Sequence, residues 1–323
     1  MTMPALPSGL THRCLWHVDW GIDPKKRWAA AITVPVQGAP LIHAPTPFVP
    51  LSESLLAGAY DDQQLIIGVD FPIGLPAPYA DLVGIHDFQA FLLGQEGPDW
   101  RQFSQVADRL DEVSLHQPFF PRANIHADDK AQGPPQLAWL TKLGLEKSDT
   151  YRQCDLMTDD RPAAASLFWT KGANQVGKAA LGGWRDLVRP LLINKRAILG
   201  LWPFDGPLDT LIATAPIVLA ETYPGEVYGW FDCQPKAKTR RDARLSVVPV
   251  LRATIDDMDL TLTDEANAML ADGFGDDRHG EDRFDSFVGA LGLFSVVTKR
   301  RPALVPSDPV FTQIEGWILG QEI

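Results

Sequence analysis

The chain has 323 residues, 45% hydrophobic and 22% charged, which fits one large globular domain or a core domain carrying an insertion. Its 29 basic and 41 acidic side chains leave a formal charge of −12, which excludes a generic basic nucleic-acid coat but not an enzyme with a local basic strip. No apolar run approaches the roughly 18–20 residues that span a bilayer, Met1 to His12 lacks a secretory pattern, and Cys14, Cys154 and Cys233 form no CxxC spacing, so a reduced cytoplasmic setting away from membranes is expected.

In chain order, Cys14 to Asp19 reads as a first strand, closed by the turn residues Gly21-Ile22-Asp23-Pro24. Trp28 to Val36 is a second strand, Gln37-Gly38 a tight hairpin turn, and Leu41 to Pro45 the start of a third. A short helix capped by Ser52 is expected over residues 52–60. Leu65 to Asp70 is a continuous apolar run, the pattern of a strand covered on both faces. Phe71-Pro72-Ile73-Gly74-Leu75-Pro76 forbids regular structure and predicts a rigid loop. Residues 77–195 read as helices with polar connections, broken at Pro134-Pro135 and Arg161-Pro162, with a helix from Asn174 to Leu192 ending near Pro190. Strand character returns at Ala197 to Trp202 and Pro216 to Glu221. Helices follow over Thr239 to Arg252, Thr263 to Asp272 and Glu281 to Thr298.

This order predicts an α/β protein: a mixed sheet of three antiparallel strands plus parallel strands, flanked by helices, with a mostly helical insertion. It is the layout of the ribonuclease-H-like fold. The expected divisions are 13–76 and 196–300 as two parts of the core, 77–195 as the insertion and 301–323 as a C-terminal tail.

Acids recur at the expected ends of these elements. Asp19, Asp70 and Glu221 each close an apolar strand, and Asp282 and Asp285 open a late helix three residues apart, on one face. Ser286, Gly289 and Gly292 continue that face with small side chains, which lets the helix approach a sheet closely. Singly, each acid is also explained as a turn former or a partner of a helix dipole. Together they would repel one another unless protons or cations intervene. A carboxylate cluster holding divalent metal, Mg²⁺ or Mn²⁺, is the economical reading, with Asp19, Asp70, Glu221, Asp282 and Asp285 as both metal ligands and catalytic groups. The densest basic segment, Lys236, Lys238, Arg240, Arg241 and Arg244, is the expected binder of substrate phosphates; Lys25-Lys26-Arg27 is a smaller strip. His17 is expected to be a core histidine with a satisfied partner.

Val18-Asp19-Trp20-Gly21, Gly68-Val69-Asp70-Phe71-Pro72-Ile73-Gly74-Leu75-Pro76, Glu221-Thr222-Tyr223-Pro224-Gly225-Glu226, the Lys236 to Arg244 segment and Asp282-Arg283-Phe284-Asp285-Ser286-Phe287 resemble a family of predicted ribonuclease-H-like nucleases (domain of unknown function 429). The resemblance runs from about residue 13 to about residue 298, with Asp-Phe-Pro-Ile-Gly-Leu-Pro its most specific part. It implies a ribonuclease-H-like core with the five acids at matching motif positions, and a metal-dependent nuclease whose partner is nucleic acid. The turn after Asp19 and the long insertion depart from the pattern. The alternatives are an actin-like ATP-dependent phosphotransferase, against which stand Ile22 and Asp23 after Gly21, and a non-catalytic binding protein of the same fold.

Overall fold

Seven residues, Arg13–Asp19, form β1 at the centre of the sheet, and alternation along them decides what faces what. Cys14, Trp16 and Val18 enter one core; Leu15 enters another on the opposite face. The computed structural model describes residues 5–60, 62–122, 135–172 and 175–323.

Strand β2 (Trp28–Val34) runs antiparallel to β1, and β3 (Leu41–Ile42) and β4 (Thr46–Pro47) pair with β2. The expected third strand is thus two short pieces, separated by His43 to Pro45. Strand β5 (Gln64–Val69) lies parallel to β1 on its other side. Beyond it come β7 (Ile217–Glu221) and β6 (Leu199–Leu201), both parallel, while β8 (Thr261–Leu262) pairs with β3 at the far edge. The result is one eight-stranded sheet in the order β6-β7-β5-β1-β2-β3-β8, with β4 against β2. Parallel strands with helices on both faces read as continuous apolar runs, and β5 is buried along its whole length.

One face carries α1 (Phe48–Leu56) and the region containing α2 (Ala77–Val83), α3 (Phe88–Gly94), α4 (Pro135–Leu143), α5 (Val176–Gly183) and α6 (Arg189–Asn194). Its aromatic side chains share a core with Trp16, Val18, Ile67 and Leu219. The other face carries α7 (Leu208–Thr214), α8 (Pro224–Trp230), α9 (Arg241–Asp257), α10 (Asp264–Ala271) and α11 (Gly280–Val297). No helix among the described residues is long and apolar enough to cross a membrane.

Three local expectations are corrected. The helix at 52–60 begins earlier, at Phe48, and Ser52 is not its cap; its hydroxyl donates to the Val49 carbonyl from inside the helix. Pro190 does not end its helix. A wide π-turn over Trp184–Val188 precedes it, and the helix resumes with Pro190 in the first turn of α6, where a missing N–H is tolerated. Helices α7 and α8 are additions to the expected order. Thr263 does cap α10, accepting from the Ala266 N–H. Pro134 and Asn174, the expected break and helix start, lie outside the described residues.

Candidate functional site

Register brings Asp19 and Asp70 together. Val18 pairs with Val69, and the Asp70 N–H donates to the Val18 carbonyl at 3.1 Å, so the two acids stand side by side at the ends of adjacent parallel strands. Both follow the parity of Leu15 and Ile66, so both face α11. Both are half-buried, within reach of water.

The loop after Asp70 is as rigid as its prolines predict. Phe71, Ile73 and Leu75 are buried, the Trp184 indole donates to the Pro72 carbonyl at 2.7 Å, and the Leu75 N–H donates to Ile314. Gly74 has φ +146°, and a Cβ there would run into the Glu315 carbonyl, so only glycine fits.

Helix α11 supplies the third carboxylate. Gly289 lies against the His17 ring and Gly292 against Val227, at distances that leave no room for a Cβ. This close seating lets the short side chain of Asp285 reach the strand ends. Asp285 is buried; one oxygen accepts from the Tyr228 hydroxyl of α8 and the other from Lys238 Nζ at 2.6 Å. Asp282 sits at the rim, 3.3 Å from His279 Nδ1.

The electrostatics follow from this crowding. Desolvation first, then Asp285, Asp70 and Asp282, push the Asp19 carboxyl well above the ordinary carboxylate range, with Lys238 opposing. Desolvation and Asp285 push Asp70 up to about 7, again with Lys238 opposing. Asp282 is raised by burial, with His279 and Lys26 opposing. Burial works against the Lys238 ammonium, but Asp285, Glu281 and Asp19 more than offset it, so its pKa is raised.

Glu221 does not join the cluster, which corrects its assignment. It pairs with Val69, not with Asp70, and continues the parity of Ile217 and Leu219, so it points to the opposite face. There it is gripped bidentately by Arg152, at 2.6 Å for each contact, and accepts from the Ile73 N–H at 2.7 Å. Arg152 is fully buried and also holds Asp155. The residue of β7's end that shares the face of Asp70 is Thr222, whose side chain lies against Gly68. Its hydroxyl is buried without a hydrogen-bond partner.

The basic segment is likewise redistributed. Arg244 is buried and donates to the carbonyls of Lys238, Gly273 and Gly275. Arg241 pairs with Asp272 and Arg240 with Asp242, while Lys236 is exposed. Only Lys238 enters the cluster; buried carbonyls claim the donors of Arg244, whereas Arg240 and Arg241 stay at the surface in exposed ion pairs. His17 is a core residue as expected, but neither ring nitrogen has a well-formed hydrogen bond, and burial lowers its pKa to about 3 with only a Ser286 backbone contact opposing.

Tyr228 and Arg152 carry no motif of their own. Thr222 stands within the Glu221-Thr222-Tyr223 motif, but only the strand register, Val69 opposite Glu221, shows that it shares the face of Asp70. A cavity of about 530 Å³ lies at the opposite end of the sheet, lined by Arg13, Val34, Met258 and Phe294 among others, away from the carboxylates. Among the described residues no group of three or more His, Cys, Asp or Glu is arranged to hold a metal ion. Comparison with protein-family models, characterised proteins and solved structures returns no match.

Proposed function

We propose that the protein hydrolyses phosphodiester bonds in nucleic acid, using a divalent ion, Mg²⁺ or Mn²⁺, held by Asp19 and Asp70. The observation that carries this reading is their placement. They stand in register on one face, at the ends of adjacent parallel strands about 4.8 Å apart, with water reaching both. A hard divalent ion of the Mg²⁺ type binds through one or two carboxylates, water and substrate oxygens, which suits this donor set. The orphaned Thr222 hydroxyl on the same face adds a polar group in need of a ligand. Three antiparallel strands followed by parallel ones, with an acid-bearing helix on one face, is also similar to the ribonuclease-H-like layout, and the motif resemblance points the same way.

This reading narrows the site from five metal-binding acids to two. The ion, when bound, supplies an activated water and charge against the phosphate. The remaining work falls to the chain. Asp19 and Asp70, fixed by the ladder and the 71–76 loop, set the geometry. Asp285, braced by Tyr228, holds Lys238, whose side chain is 39% exposed and places positive charge beside the reacting phosphate. Lys25 and Lys26, exposed on the turn after Asp19, are cations open to a polyanion at this end.

The test is a panel of single- and double-stranded DNA and RNA incubated with Mg²⁺ or Mn²⁺. Cleavage should need the metal and fall about 100-fold or more in Asp70→Asn and Asp19→Asn. Cleavage that survives chelation, or that Asp70→Asn leaves intact, contradicts the reading.

A further inference from the structure

We propose that the Lys238 ammonium takes the place of a second metal ion, so that the site accommodates one divalent cation beside one fixed lysine. This rests on the metal-dependent reading above and specifies how many ions it uses.

Four observations lead there. First, Lys238 lies inside the cluster: Nζ is 2.6 Å from Asp285 and 3.3 Å from Glu281, and its field is felt at both Asp19 and Asp70. Second, it is delivered by a built device. Arg244, itself buried, donates to the Lys238 carbonyl at 2.5 Å and to Gly275 and Gly273 at 2.6 and 2.9 Å, tying the lysine's turn to the segment that leads into α11. Third, the two halves of the cluster differ in what they lack. Asp285 has one oxygen on Tyr228 and the other on Lys238, so a second ion would have to share an oxygen already engaged by the tyrosine or the ammonium. On the Asp70 side, the Thr222 hydroxyl is buried and unpartnered, so that side retains a polar group in need of a ligand. Fourth, Lys238 already offsets part of the charge. Ionised Asp19, Asp70, Asp282 and Asp285 with one ammonium leave three negative charges; one divalent ion reduces this to one, and a second would reverse the sign of the cluster, at close range and partly out of water. Glu281 lies on the outer, more exposed side of Lys238, and solvent screens it.

The experiment is a Mn²⁺ titration of the full chain, reading stoichiometry by calorimetry and spin coupling by electron paramagnetic resonance. Wild type should bind one ion per chain with no coupling between manganese centres. Lys238→Met, which keeps the stem and loses the charge, should bind two, with coupling; Lys238→Arg should remain at one. Two ions in wild type would overturn the proposal and leave the metal-dependent reading standing. So would a folded Lys238→Met that still binds one ion with unchanged affinity. No bound ion in wild type would remove both. The wild-type count decides the matter even if Lys238→Met fails to fold.

Discussion

Asp70 makes the protein's stability depend on pH in a definite direction. Its carboxyl titrates near 4 in an unfolded chain and at about 7 in the fold, because it is desolvated and faces Asp285. Between those values the folded state holds the extra proton, so stability falls as pH rises through this window. In chelator-treated protein, Asp70 should cost about 1–2 kcal/mol between pH 5 and pH 8, allowing for the water that reaches it. Urea melts of wild type and Asp70→Asn at both pH values check this; the variant should lose the share due to Asp70 and keep that of Asp19, whose carboxyl is raised in the same direction. At this scale the sequence was partly legible. Asp19 and Asp70 each end an apolar run, a position that a turn former also explains, and it was their combination that pointed to a cluster. Glu221 has the same appearance and a different role, since a one-residue difference in register turns a side chain to the other face. Arg244 was misread for a related reason: charge density along the chain does not show that buried carbonyls claim its guanidinium.

Among elements, α11 and the Arg152 clamp set the site. Gly289→Ala would press a methyl into the His17 ring and lift α11, carrying Asp285 away from the strand ends. It should cost about 1–3 kcal/mol in urea melts and weaken Mn²⁺ binding together with stability. Arg152→Met should cost about 3–5 kcal/mol, because it leaves Glu221 and Asp155 buried without their cation. Combining it with Glu221→Gln should cost less than the sum of the two single changes, the signature of a direct pair. The small-residue face of α11 and the cap of α10 could be read in advance because both rest on local spacing. The clamp could not, since Arg152 and Glu221 are 69 residues apart and meet only when the helical region folds over the sheet.

The whole molecule is a sheet with unlike faces. One is covered by the helical region after the 71–76 loop, which supplies the Arg152 clamp and the Trp184 bond that braces the loop; the other is covered by α7 to α11, which bring Asp285, Tyr228 and Lys238. A net charge of −12 makes nonspecific attraction to a polyanion weak, so engagement of nucleic acid should depend on the metal and on Lys25, Lys26 and Lys238 at one end. The central claim is that Asp19 and Asp70 hold a divalent ion, and thermal unfolding with and without Mn²⁺ tests it most directly. At an ion concentration about 100 times the dissociation constant, wild type should melt about 4 °C higher than chelated protein, while Asp70→Asn shows little shift. Equal melting temperatures with and without Mn²⁺ in wild type, or an undiminished rise in Asp70→Asn, would contradict it.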